Sequence, residues 1–208
     1  MLTHIGHSEK MLFMRVFIAV LVLIISLQSW TKADDIRDFQ IEGMSIGDSI
    51  LKFYTLSDFN NYYVGTYPKS DDYETYEIPK HLSKIKFSTY DSVTVTWKKN
   101  DKEKKIVAVN GIKLYPKKLK QCLKKRDKTV EEIKETLNYT SEDQYEMVYE
   151  EGNDSIGYVI DLKIQGGSIR IWCTDWDNKT EEEKNWDDDF NFSIETKEFI
   201  YWLDNIAY

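Results

Sequence analysis

Histidine is almost missing from these 208 residues: there are three, and His4 and His7 precede the one strongly hydrophobic run of the chain. Only His81 remains in the body of the protein, in the polar connector Pro79-Lys80-His81-Leu82, where it reads as a surface side chain. Ser-His-Asp and Cys-His catalysis need an imidazole to move the proton, and zinc sites draw on clusters of His and Cys. One His and two distant Cys exclude those chemistries, so the sequence nominates no catalytic, cofactor-binding or metal-ligating set. Proline is scarce as well, at 3 residues, which leaves no Pro-rich linker. Basic charge is outweighed: 28 Lys and Arg face 36 Asp and Glu, a net charge of -8. Nucleic acid is therefore an unsuitable partner, because phosphate binding needs a basic footprint.

What is present begins with Val16 to Leu27, a nearly unbroken apolar run behind Lys10 and Arg15. It fits the ~7 to 15 residues of a secretory signal core and falls short of the ~20 that span a bilayer. Thr31-Lys32-Ala33 offers a cleavage point after Ala33. The expectation is a signal peptide over 1–33 and a single α+β domain over 34–208, periplasmic or secreted. The alternative is an uncleaved anchor in the inner membrane, with Met11 to Met14 extending the run; only then does the membrane become a partner. Without residues 1–33 the chain is more acidic still, at about -10, which disfavours an anionic membrane surface.

Hydrophobic periodicity outlines that domain. Ser45 with Asp48 resembles a capping box, and Ile46, Ile50, Phe53 and Tyr54 then follow helical spacing, predicting a short helix to about Phe59. Residues 60–84 sustain no period and read as a long surface loop with one short strand at most. Tyr62, Tyr63, Tyr67, Tyr73 and Tyr76 stand there among carboxylates, a candidate binding loop for a saccharide or a partner protein, or else rings that cover a sheet edge. Val93, Val95 and Trp97 alternate with threonines before a charged turn and Ile106 to Val109, which predicts a hairpin. Asn110-Gly111 is the strongest short turn signal. Leu119, Cys122, Leu123, Val130, Ile133 and Leu137 then form one helical stripe behind Pro116.

Strands follow at Tyr145 to Glu150, Ile156 to Ile164, Ile169 to Trp176 and Phe190 to Ile194, with turns at Gly152-Asn153-Asp154 and Gly166-Gly167, and Thr196 caps a closing helix. The fold class expected is α+β: an antiparallel β-meander sheet with helices packed on one face and the other face wet, preceded by the signal segment. Cys122 on the helix and Cys173 on a strand both point inward, as a disulfide in an oxidising compartment or as two separate buried thiols. A bridge closing that loop is worth on the order of 3 to 4 kcal/mol. The acidic stretch from Asp175 to Asp189 fails the calcium-loop test, since Lys179 and Thr180 occupy ligand and glycine positions; it reads as a solvated hairpin tip.

Over Asp35-Ile36-Arg37-Asp38-Phe39-Gln40-Ile41-Glu42-Gly43-Met44-Ser45-Ile46-Gly47-Asp48-Ser49, Lys117-Lys118-Leu119-Lys120-Gln121-Cys122-Leu123 and Trp202-Leu203-Asp204-Asn205, the chain resembles a family of uncharacterised predicted exported proteins from small-genome marine alphaproteobacteria. The resemblance covers most of the domain and implies a Gram-negative periplasm. That family carries no assigned activity, so no site residue comes with it. Two functions are expected: a non-catalytic periplasmic binding or envelope-associated module whose partner is an envelope protein or a saccharide, or a carboxylate-dependent enzyme acting on a saccharide.

Overall fold

The computed structural model describes residues 35–149 and 154–208. The expected signal segment over 1–33 and the turn at Gly152-Asn153 lie outside the described residues. Eight strands are found among those described: β1 (Tyr63–Gly65), β2 (Tyr73–Pro79), β3 (Ser92–Lys98), β4 (Ile106–Leu114), β5 (Ser141–Val148), β6 (Ile156–Ile164), β7 (Gly167–Asp175) and β8 (Asp189–Thr196). They form one sheet in the order β1-β2-β3-β4-β8-β7-β6-β5, every neighbouring pair antiparallel. The expected meander is thus two meanders that meet where β8 returns to β4. Helix α1 (Leu119–Thr136) connects them.

Alternation along each strand makes two unlike faces. The first is apolar: Val93, Val95, Trp97, Val109, Leu162, Ile169, Ile171, Phe190 and Ile194 are all buried. Cys122 and Val130 of α1 pack onto it, with Leu119, Leu123 and Ile133 partly buried beside them. The N-terminal segment brings Ile41, Met44, Ile50, Tyr54 and Phe59 into the same core.

That segment is not the helix its periodicity predicts. It holds only 3-10 turns at Ile50–Lys52 and Leu56–Asn61. Gly47 N–H and Ile50 N–H donate to the carbonyls of Ile106 and Lys104, and Ile106 N–H donates to Asp48. Backbone groups that a helix would pair internally are taken by the start of β4 instead. Residues 60–84 are likewise more ordered than expected, since β1 and β2 lie within them, and β2 gains its pairing from β3, a partner distant in sequence. Asn110-Gly111 is no turn but the middle of β4. The Tyr90 ring lies across Gly111, where an added Cβ would stand 2.6 Å from its carbons, so the glycine serves a close approach rather than a bend.

The second face corrects the expected wet side. Thr75, Thr96, Asp161, Ser168, Asn191, Ser193 and Glu195 all lie on it and all are buried. Asp161 accepts from Ser168 Oγ and Lys163 Nζ, and Arg170 lies 3.6 Å from both Asp161 and Glu195. Helices therefore pack on both faces, not one: α3 (Lys197–Trp202) and a π-turn at Leu203–Ala207 set Phe199, Trp202 and Ala207 against Tyr73 and Ala108 of the second face. The acidic stretch is the tip of the β7–β8 hairpin, as expected, and folds there into a short helix, α2 (Asn178–Lys184). Among the described residues no helix is long and apolar enough to cross a membrane.

Candidate functional site

The end of the second face that α3 leaves uncovered is a cleft of about 780 Å³. Its lining is drawn from β1, β2, β3, β4, β8 and β7 and from the chain following β5 and β7. One wall is aromatic. Trp172 projects from β7 on the polar side because its neighbours Ile171 and Cys173 take the apolar side. Trp176 follows β7, with Tyr149 at 4.6 Å on one flank and Trp186 at 4.7 Å on the other, measured between ring centroids. Tyr149 reaches this wall over Gly157, where a side chain would crowd its hydroxyl. Across the cleft stand Tyr63, Pro79, Ile112 and Leu114.

The floor is polar and tightly connected. Trp176 Nε1 donates to Asp189 Oδ2 at 3.2 Å, and Asn191 Nδ2 donates to Asp189 Oδ1. Asn110 Nδ2 donates in turn to Asn191 Oδ1 at 2.9 Å, and the Tyr149 and Thr174 hydroxyls are 2.9 Å apart. Burial pushes the Asp189 carboxyl up to about 6, despite the hydrogen bonds from Thr174, Trp176 and Asn191 that oppose it. Burial also lifts the Tyr149 phenol to about 12, so it remains protonated. Asp91 differs: burial works against its charge, but Lys113 at 2.9 Å and the Leu114 N–H hold its pKa below the ordinary value. Glu77, Asp187 and Lys80 complete the charged lining, and His81 stands beside Lys80 in the cleft.

Of the candidate tyrosines only Tyr63 lines this cleft. Tyr62 is buried against Tyr54 and Phe59, and Tyr76 stacks on Trp97 with centroids 5.2 Å apart. Tyr73 and Tyr67 pack on Trp202, and Tyr67 also meets the Thr75 hydroxyl at 2.9 Å. Tyr67, Tyr73 and Tyr76 share the lining of a smaller hollow of about 290 Å³, apart from Tyr62 and Tyr63. Cys122 and Cys173 are joined in a disulfide, with Cα atoms 6.0 Å apart, on the apolar face directly behind the cleft floor. Among the described residues no group of three or more His, Cys, Asp or Glu side chains is placed to hold a metal ion.

The residues that sequence reasoning passed over are Trp172, Trp176, Trp186 and Asp189. Their signal was available in part: Asp189 and Asn191 alternate with the buried Phe190 and Phe192, which sets them on the opposite face. No protein-family model, curated protein or solved structure matches the chain.

Proposed function

We propose that this protein is an exported, non-catalytic saccharide-binding domain. The observation that carries the reading is the cleft, where flat indole and phenol faces stand over a floor of hydrogen-bonding amide, hydroxyl and carboxylate groups. A pyranose ring has that same division, with apolar C–H faces and a polar hydroxyl edge, and concave sites with apolar walls and a few placed polar groups are the usual form of small-ligand sites. Export is supported by the apolar run at Val16 to Leu27, by the disulfide, which belongs to oxidising compartments, and by the resemblance to exported proteins.

Asp189 favours a second reading, hydrolysis by carboxylate acid-base chemistry, because its raised pKa suits a general acid. Both of its oxygens, however, are held by protein donors, which suits an anchoring group better than one that must hand its proton to a glycosidic oxygen. Binding is the better supported of the two.

Calorimetric titration with a panel of oligosaccharides tests the proposal. Trp172→Ala is expected to weaken binding by roughly 30-fold, the loss of about 2 kcal/mol typical of a buried aromatic anchor, with the circular dichroism spectrum unchanged. Release of reducing ends from the same oligosaccharides would instead establish the enzyme. Mass spectrometry of the protein from fractionated cells tests export: the expected chain begins at Asp34 with the disulfide closed, and a full-length chain in the cytosol with both thiols reduced would refute it.

A further inference from the structure

We propose that the saccharide taken by this cleft carries a protonated amine, which is held by Asp189 in a lining that Glu77 and Asp187 make acidic. This rests on the saccharide reading and narrows it to amino sugars with a free ammonium group. Four carboxylates line the cleft, and only Asp91 is neutralised, by Lys113. Glu77, Asp187 and Asp189 form no ion pair among the described residues, whereas the one lysine of the lining is Lys80, just past the end of β2. No arginine lines it, so a ligand carboxylate or phosphate has no bidentate partner there.

Asp189 is the deepest of these acids. A carboxylate has about four acceptor positions, and Trp176, Asn191 and Thr174 take three of them. The donors are all neutral, so the charge stands over the cleft without a counterion. An ammonium group supplies both the missing donor and the missing charge. Trp172 and Trp176 add to the preference, since indole faces attract cations, most strongly where water is excluded. A hydroxyl at the same place supplies a donor without the charge, and an acetylated amine is neutral and bulkier.

Three oligosaccharides of equal length, built from glucosamine, N-acetylglucosamine and glucose, distinguish these cases by calorimetry on the mature chain near pH 7, where Asp189 is ionised, and at low salt. The glucosamine oligomer is expected to bind at least about tenfold tighter than the other two, an advantage that shrinks as salt rises. Asp189→Asn should remove the advantage. Should that variant fold poorly, Glu77→Gln combined with Asp187→Asn changes only cleft-wall charges and should reduce it. Equal binding of the glucosamine and glucose oligomers overturns this inference and leaves the saccharide reading standing. Binding of none of the three overturns both.

Discussion

Asp189 couples the chemistry of the cleft to a measurable property of one side chain. Its pKa rises from the ordinary 3.8 to about 6, with burial the largest cause. Between those values the folded chain holds a proton that the unfolded chain has released, so this group's contribution to stability falls as pH rises through the window and is level above it. Trp176 donates to the same carboxylate. Tryptophan fluorescence is therefore expected to titrate with a midpoint near pH 6, and Asp189→Asn to lack that transition. Asp177 runs the other way. It caps α2, and hydrogen bonds, chiefly from the Thr180 and Ser155 hydroxyls, lower its pKa from 3.8 to about 2. Its contribution is present above pH 3.8 and lost as pH falls toward 2. Acid titration followed by near-ultraviolet circular dichroism should show a transition in that range that Asp177→Asn lacks.

At the level of single elements, the ends of helices and the close contacts of strands give the sharpest tests. Thr196 Oγ1 accepts from Phe199 N–H at 3.3 Å and starts α3, the helix that covers the buried polar face. Thr196→Ala is expected to cost about 1 kcal/mol in urea unfolding. Gly111→Ala forces a methyl group into the Tyr90 ring and should cost about 1 to 3 kcal/mol, while Gly111→Ala combined with Tyr90→Ala should recover part of the loss. The same position shows where local signals mislead. Asn110-Gly111 has turn chemistry, yet seven consecutive pairings with β8 run through it. The apolar spacing of residues 46–59 correctly marked an inward face. It mistook the conformation because the backbone there pairs with residues 104–106.

Across the whole molecule, the disulfide ties α1 to the sheet over a separation of 51 residues. Replacing both cysteines with alanine is expected to cost about 3 to 4 kcal/mol. Because Cys173 lies between Trp172 and Thr174 of the cleft, that variant should also bind oligosaccharide more weakly, which the same titration measures.

Local pattern was enough for β3, β6, β7, β8, α1 and α3, because each carries its own period of two or 3.6 residues and its own cap or turn. It also placed Cys122 and Cys173 on inward faces. Tertiary structure alone decided the rest. Pairing of β8 with β4 joins the two meanders and brings Tyr63, Ile112, Asp189 and Trp172 to one cleft from positions spread over more than a hundred residues. Sequence alternation separates Asp189 from Phe190, but it does not say whether the polar side meets water or lies under a helix. That depends on where α3 and Tyr149 come to rest, and it is burial that raises the pKa of the Asp189 carboxyl.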